Sequence, residues 1–236
     1  MNRALALLAA VLVLSPAPVR AALEPFVATY DVLREGRKLG EATMQLSAVG
    51  GDRWRVDLVA RATGVVALTG FSAQQSTVFT LDGDAYRPLT QSAVRSRLFS
   101  SRRSTGVYDW AAGTATWTGD VKKTRRAPVP LQAGDMSGLL INLAVIRDAA
   151  PGATLRYRFV DDGRARDHVY EVAPETEPVA VDDLAYSAMR VRRVQAGDEE
   201  TVLWVAAGVP TPVRILQRDD GADRYDLRLT GYQGAP

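Results

Sequence analysis

Residues 25–62 read PFVATYDVLREGRKLGEATMQLSAVGGDRWRVDLVARA. Apolar and polar side chains alternate through three runs in this stretch, at 25–33, 40–48 and 53–62. A period of two residues is typical of strands that pack one face on a core and expose the other to water. The turn formers Glu35-Gly36 and Gly50-Gly51 separate the runs. The stretch therefore predicts a three-stranded antiparallel meander.

The same alternation continues to the end of the chain and predicts about a dozen strands. Beyond the meander we expect strands at 76–81, 86–94, 107–110, 114–118, 154–161, 166–172, 184–194, 201–206, 212–218 and 224–232. We interpret Pro174–Pro178 as a short loop inside one domain. Strands at this spacing favour an all-β fold, either an antiparallel curled sheet or an open β-barrel.

One segment breaks the strand pattern. In DMSGLLINLAVIR, residues 135–147, the apolar side chains lie within one arc of a helix. Asp135 is the expected N-cap, because a carboxylate there accepts orphan amide protons, and Ser137 is expected in the first turn. We expect this amphipathic helix to pack in or across the barrel. Residues 64–70 predict a loop or a single helical turn.

Residues 1–21 have the pattern of a cleavable signal peptide. Arg3 precedes an apolar run of about ten residues, and small residues lead to an expected cut after Ala21. The alternative, a membrane anchor, would need roughly 20 apolar residues. We therefore expect a periplasmic protein with one β-rich domain at 22–236 and no transmembrane segment in the mature chain.

Composition excludes several classes of site. The chain has no Cys and a single His, which excludes thiol nucleophiles, disulfides and sites with several imidazoles. Removal of residues 1–21 takes away two arginines and no acid, and leaves 27 basic and 27 acidic residues. A neutral mature chain gives no argument for a nucleic-acid partner. We expect no cofactor and no metal.

Short motifs along the mature chain resemble an exported bacterial family known as domain of unknown function 3108. They are FVATY at 26–30, Gly40, DMSG at 135–138, LAY at 184–186, LWVA at 203–206 and PVRI at 212–215. The resemblance implies a fold and a compartment but no catalytic residues. The segment from Trp204 to Arg214 is also similar, at the level of fold, to the half-open barrels that carry lipoproteins or lipids through the periplasm; an ordinary hairpin with a buried Trp is the alternative.

Candidate catalytic residues lack supporting motifs. His168 would need a nucleophile and an orienting carboxylate, and Asp167 points to the opposite face of an extended strand. The nearest match to a Gly-x-Ser-x-Gly elbow, around Ser137, has the wrong spacing. Paired aspartates beside glycines are typical of turns. We therefore expect a protein that is not an enzyme, with His168 a surface or half-buried strand residue.

Charge is segregated along the chain. The segment from Arg87 to Arg126 contains nine basic residues and two acids. The segment from Asp161 to Glu200 contains eleven acids and five arginines. The basic segment indicates a surface for anionic envelope material such as lipid headgroups. The alternative is that the two segments pair across the sheet or form solvated faces. The aromatic residues interleaved with the basic ones, Phe99, Tyr108, Trp110 and Trp117, are expected in the core.

These observations leave three hypotheses open. The first is a non-enzymatic periplasmic binding or envelope-maintenance protein that holds an apolar or lipid-like ligand between sheet and helix. Its expected apolar lining is Trp54, Phe71, Phe79, Leu139, Leu143 and Trp204, and its expected basic rim is Arg95, Arg97, Arg102, Arg103, Lys122, Lys123, Arg125 and Arg126.

The second hypothesis is a ligand-free scaffold that acts through its surface on outer-membrane or cell-wall machinery. An apolar cavity of about 300 Å³ or more would favour ligand binding over a scaffold. The third is a hydrolase that uses Asp with Ser or Arg, and it would gain support if His168, a carboxylate and Ser137 met in one cleft.

Overall fold

A computed structural model describes residues 23–181 and 184–234; the predicted signal peptide, 1–21, lies outside the described residues. The fold is mostly β with one main helix, as predicted. Fifteen strands form a single curled sheet: β1 (Phe26–Arg34), β2 (Arg37–Gly50), β3 (Arg53–Ala62), β4 (Ser72–Asp82), β5 (Ala85–Arg97), β6 (Ser100–Asp109), β7 (Thr114–Gly119), β8 (Val129–Pro130), β9 (Asp135–Met136), β10 (Thr154–Asp161), β11 (Arg164–Val181), β12 (Leu184–Val194), β13 (Glu200–Ala206), β14 (Arg214–Asp219) and β15 (Ala222–Gly234).

β1 and β15 lie side by side in the middle of the sheet. Strands follow in chain order from β1 to one edge, and in reverse chain order from β15 to the other edge. The order of the sheet is β8-β7-β6-β5-β4-β3-β2-β1-β15-β14-β13-β12-β11-β10-β9. Neighbours are antiparallel except for the short parallel pair β9–β10. The first and last strands pair with each other, with Phe26 opposite Gly234. The two edge strands, β8 and β9, follow each other in the sequence.

A seam closes the curled sheet where these edges meet. Only residues 131–134 separate β8 from β9, and four residues cannot span a wide gap. Arg158 on β10 donates to both carboxylate oxygens of Asp135, at 2.7 and 2.6 Å, and to the carbonyl of Pro130 at 3.4 Å. The Tyr108 hydroxyl of β6 donates to the carbonyl of Val160 at 2.7 Å. These contacts make the sheet barrel-like.

A small apolar cluster lies behind the seam. It draws on both sides of the sheet and contains Tyr108, Ala115, Trp117, Val121, Val129 and Val160. The rings of Tyr108 and Trp117 meet edge to face, with centroids 5.7 Å apart. The seam thus combines apolar packing with polar ties.

Helix α1, Gly138–Asp148, begins later than the sequence predicted. Ser137 is the N-cap: its hydroxyl accepts from the amide of Leu140 at 3.4 Å and shares a hydrogen bond of 2.8 Å with the hydroxyl of Thr77. The prediction of Asp135 as N-cap is wrong, because its carboxylate is buried in β9 and held by Arg158. A paired carboxylate in a strand leaves the capping position to the next hydroxyl.

The helix fills the interior of the barrel. Six of its residues are buried, namely Leu139, Leu140, Ile141, Leu143, Ala144 and Val145. They join side chains from both halves of the sheet in one main core, among them Tyr30, Met44, Phe79 and Leu203. The helix contacts β3, β4, β5 and β10, and is therefore enclosed rather than laid on a surface.

Two strands extend furthest beyond their predicted bounds. The predicted loop Pro174–Pro178 belongs to β11, whose register with β12 shifts between Val172 and Thr176. A prolyl residue is tolerated there because a bulge needs fewer backbone donors. β6 starts seven residues early, at Ser100, because the hairpin arms extend beyond the core as polar strands.

Candidate functional site

The structure places five of the six predicted lining residues in the core. Phe79, Leu139, Leu143 and Trp204 are buried in the main cluster, and Trp54 is partly buried against it. Trp204 also donates through Nε1 to Glu177 and lies under the guanidinium of Arg214, 4.7 Å from the ring centroid. Phe71 belongs to neither cluster and is 40% exposed. These side chains pack against one another and the helix.

Two cavities lie away from the predicted lining. One of about 250 Å³ lies at the β4–β5 and β6–β7 turns, beside Tyr86, Arg87, Trp110 and residues 131–134. The other, of about 240 Å³, lies along β10 and β11 beside Tyr157, Arg158 and His168. Neither is an apolar space between sheet and helix.

The predicted hydrolase residues do not meet in one cleft. Ser137 caps the helix and bonds to Thr77. His168 lies on β11, where its ring stacks on Phe159 with centroids 4.6 Å apart. Within residues 23–181 and 184–234 neither ring nitrogen of His168 has a hydrogen-bond partner. The geometry therefore gives no support to a charge-relay arrangement of these residues.

A polar cluster surrounds His168 inside the barrel. We give this name to His168, Arg193, Gln195 and Thr201, each of which has a buried side-chain polar atom without a partner among the described residues. In the register of the sheet, Arg193 on β12 is directly opposite Tyr170 on β11. Arg192 is opposite Val202 on β13, so the neighbouring residues Arg193 and Thr201 lie on the same face of the sheet. Burial, and then the charges of Arg193 and Arg166, lower the pKa of His168 to about 4. The imidazole is therefore neutral at physiological pH.

An exposed apolar surface lies at the end of the barrel where β3 turns into β4 and β5 into β6. We call it the apolar tip. It consists of Val65 (84% exposed), Leu68 (77%), Phe71 (40%), Leu98 (61%) and Phe99 (94%). The first two lie on a short 3₁₀ helix, Gly64–Thr69, and the last two form the β5–β6 turn. The prediction that Phe99 belongs to the core is wrong, because the hairpin carries it beyond the sheet.

The two turns of the apolar tip are joined through their backbones. The amide of Leu98 donates to the carbonyl of Thr69 at 3.0 Å, and the amide of Gly70 donates to Ala67 at 2.9 Å. Gly70 has a φ of +62°, and a Cβ there would lie 3.1 Å from the Leu98 nitrogen. Only glycine allows this close approach without strain. The tip is therefore one surface rather than two separate loops.

Seven of the eight predicted rim residues are exposed and lie behind the apolar tip, on the β5–β6 hairpin and the adjacent 120–128 segment. We define the basic surface by its seven exposed members, Arg95, Arg97, Arg102, Arg103, Lys122, Lys123 and Arg126. Its two halves meet where Arg103 and Asp120 exchange hydrogen bonds of 2.8 and 2.7 Å. Within the described chain none of the seven forms an ion pair.

Arg125 does not belong to this surface. Its guanidinium forms an ion pair with Asp162 in the β10–β11 turn and is mostly buried. The carbonyl of Arg125 also lies against Gly163, where a Cβ would collide with it. The prediction of Arg125 as a rim residue is therefore wrong, because it ties the 120–128 segment to the neighbouring turn.

In the acidic segment, in contrast, four of the nine described acids form ion pairs with arginines, namely Asp162, Glu171, Glu199 and Glu200. Glu171 pairs with Arg192 at 2.7 Å, and Glu200 pairs with Arg190 and Arg218, both at 3.3 Å. These partners lie on β12 and β14, which flank the acids in the sheet. Cross-strand pairing therefore accounts for part of the acidic segment, whereas the exposed cations of the basic surface have no such partners among the described residues.

Sequence reasoning missed the apolar tip and the polar cluster. The signal for the tip was a pair of apolar residues, Leu98-Phe99, set between two pairs of arginines where a hairpin turn belongs. The signal for the polar cluster was an arginine, Arg193, at an inward position of a strand whose next inward residue is Val191. No helix in the described part of the chain is both long and apolar enough to cross a bilayer.

Comparisons with known proteins support the fold and the family. The family described as "Protein of unknown function (DUF3108)" matches residues 26–228. The crystal structure of a beta-barrel-like protein of domain of unknown function DUF1849 from Brucella abortus is similar, with a TM-score of 0.55 and 12% identity, over 91% of this chain and 99% of that one. A search of curated proteins gave no match. At this identity the structural likeness concerns the fold alone.

Proposed function

As the chain belongs to the DUF3108 family of unknown function, we propose from its structure that it is a non-enzymatic periplasmic protein that acts through its surface on an anionic component of the cell envelope. The phosphates of phospholipid headgroups or of lipopolysaccharide have the required charge. Its periplasmic location is supported by the pattern of residues 1–21. Measuring the mass of the exported chain tests the expected cut after Ala21.

This proposal rests on an imbalance in ion pairing between the basic surface and the acidic residues. Seven exposed cations lie on the β5–β6 hairpin and the 120–128 segment without an ion pair among the described residues, while the acids Glu171 and Glu200 are held by arginines of adjacent strands. Unpaired like charges repel one another and weaken the folded state. A surface that keeps them is best explained by an anionic partner.

The filled interior favours a surface function over a carrier function. A ligand between sheet and helix would have to displace Leu139 or Leu143, which pack in the main core. The two characterised cavities, of about 250 and 240 Å³, are bordered by other residues. The packing of the predicted lining residues in the main core thus favours a function at the surface.

The proposal is tested by binding to vesicles of controlled charge. We expect the protein to bind vesicles that contain phosphatidylglycerol, to ignore pure phosphatidylcholine, and to lose binding as salt rises through screening. The change Arg102→Glu, Arg103→Glu, Lys122→Glu and Lys123→Glu should weaken binding at least tenfold, since each cation near an anionic surface contributes about 1 kcal/mol.

A matched control reverses charge elsewhere. Arg53 is exposed at the start of β3, at the end of that strand opposite the apolar tip, and forms no ion pair with another described residue. Arg53→Glu should leave binding unchanged. Equal binding to charged and neutral vesicles, or equal loss in both variants, would contradict the proposal. Lipopolysaccharide in place of phosphatidylglycerol separates the two sources of phosphate.

A further inference from the structure

The apolar tip protrudes from the same hairpin that carries half of the basic surface. Phe99 is 94% exposed and Leu98 61%, and Val65 and Leu68 on the adjacent turn are equally open. Large apolar side chains grouped at a protrusion mark an interaction site rather than ordinary surface. The charge behind them indicates what the partner is.

We infer that the apolar tip inserts into the interfacial layer of an anionic phospholipid bilayer while the basic surface binds the headgroups. This inference rests on the proposed function and names the partner as a lipid surface. The tip supplies apolar burial, and the arginines supply attraction to phosphate.

The spacing along the hairpin fits a bilayer. Arg95 and Arg102 are directly opposite each other, three residues behind the Leu98-Phe99 turn. At a strand rise of about 3.3 Å per residue they lie some 10 Å behind the tip. Interfacial segments bury their apolar side to about 5–10 Å, so the guanidinium groups reach the headgroup layer. Long arginine side chains also adjust their height by snorkelling.

Charge surrounds the hairpin rather than marking one face. Arg95 and Arg102 share one face of the two strands, while Arg103 is opposite Val94 on the other. A flat protein partner would contact one face of the hairpin and leave the other arginine in water. A lipid surface contacts both faces at once, because headgroups close around an inserted element.

The backbone of the tip is prepared for an apolar setting. Hydrogen bonds from Leu98 to Thr69 and from Gly70 to Ala67 satisfy four polar groups within the tip itself. Unpaired backbone groups are costly where water is scarce, so this pairing lowers the cost of insertion. The tip side chains themselves are apolar and need no partner.

A single label tests insertion directly. The native chain has no Cys, so Phe99→Cys accepts one environment-sensitive fluorophore such as NBD, and Leu184→Cys provides a control that is 62% exposed in the native protein and lies at the other end of the barrel. The labelled mature chain, from Ala22 onward, is mixed with phosphatidylglycerol–phosphatidylcholine vesicles, with phosphatidylcholine vesicles, or with soluble polyphosphate. We expect a blue shift and at least a twofold rise in emission at position 99, with the charged vesicles only.

The outcomes separate the inference from the proposed function. Binding of the charged vesicles without a change at position 99 overturns insertion and leaves the proposed function standing. No binding to charged vesicles or polyphosphate overturns both. An equal change at position 184 overturns insertion, since the whole protein would then be adsorbed or unfolded. A change at 99 with neutral vesicles supports insertion but contradicts the charge requirement.

A second variant guards against an effect of the label. Leu98→Asp with Phe99→Asp places carboxylates on an already exposed turn and should weaken binding to charged vesicles at least tenfold while polyphosphate binding falls less. A dimer in solution that this variant dissolves would overturn the inference, because a second copy would then cover the tip. The same holds if an acidic protein, but no vesicle, binds through the tip.

Discussion

Phe99 and His168 carry side chains in surroundings unusual for their types. The Phe99 ring is 94% exposed, whereas the His168 imidazole is 6% exposed and has no hydrogen-bond partner within the described chain. Buried polar groups are normally paired, and exposed aromatic rings contribute little to folding. Substitutions at these two residues should therefore affect folding stability in different ways.

Replacing Phe99 by Ser should leave folding stability almost unchanged. The ring buries little area, so we expect the free energy of unfolding to move by no more than about 0.5 kcal/mol. Phe79→Ala is the contrast, since a fully buried ring costs about 3–5 kcal/mol when truncated. Urea denaturation measures both. A large loss in Phe99→Ser would show that the tip serves the fold rather than a partner.

The buried imidazole makes stability depend on pH. Burial, together with Arg193 and Arg166, lowers the pKa of His168 to about 4, below its ordinary value of 6.5. Between these values the unfolded chain binds the proton and the folded chain does not. Stability is therefore complete above pH 6.5 and declines as the pH falls to 4, by at most about 3 kcal/mol.

His168→Gln isolates this effect from the carboxylates that titrate nearby, including Asp161. Burial raises the pKa of Tyr157 and of Tyr170, so both phenols stay protonated across this pH range. Denaturation curves at pH 7, 5.5 and 4.5 should show a steeper loss for the native protein than for the variant. Parallel curves would mean that His168 is hydrated or paired in solution.

Helix α1 shows what local sequence pattern determines and what it leaves open. The spacing of Leu139, Leu140 and Leu143 predicts a helix because the apolar period is 3.6 residues. Its start depends on tertiary contacts: Arg158 holds Asp135 in a strand, so Ser137 becomes the cap. The choice between two capping side chains, two residues apart in sequence, is made by a residue 23 positions from Asp135.

Removing the Ser137 hydroxyl tests the observed cap. Ser137→Ala should destabilise the protein by about 1–2 kcal/mol, since the amide of Leu140 loses its acceptor and Thr77 loses its partner. Thr77→Val removes only the second bond, and in a double-mutant cycle the two changes should couple. Additive effects would show that the hydroxyls act separately. Thermal unfolding followed by circular dichroism suffices.

The strands, like helix α1, follow the local sequence pattern where they pack on the core but not at their ends. Alternation predicts β1, β2 and β3 well, because one face of each packs on the core. It misses the first half of β6, where polar arms leave the core, and the proline-containing part of β11, where a bulge replaces regular pairing. Period-2 patterns exist only where one side is buried, so extensions of a strand into solvent carry no signal.

At the scale of the whole molecule, the sequence predicts a curled sheet but not how it closes. Nothing local indicates that β1 pairs with β15, about 200 residues away, or that edge strands β8 and β9 meet. The candidate site divides in the same way. The sequence shows its cations as a run of like charge. Only the structure shows that they form no ion pairs with the described acids.

The seam should be the weakest part of the closed sheet. Asp135 is fully buried and its charge is compensated by Arg158 alone among the described cations. Arg158→Ala leaves that carboxylate buried without a compensating cation and with the amide of Gln132 as its remaining described donor, which costs about 3–5 kcal/mol. Because the same guanidinium also donates to the carbonyl of Pro130, both edges lose one of the contacts that hold the seam closed. Hydrogen exchange should therefore accelerate in β8, β9 and β10 and stay slow where β1 pairs with β15.

The control for the seam is an ion pair on the open surface. Arg224 lies 3.7 Å from Glu199 and 3.6 Å from Asp219, and all three side chains are about half exposed. Exposed pairs contribute about 0–1 kcal/mol, so Arg224→Ala should change neither stability nor exchange appreciably. If Arg158→Ala instead accelerates exchange uniformly, the sheet opens as one cooperative unit. The edges are then no weaker than the middle, and closure depends on the packed helix rather than on the seam.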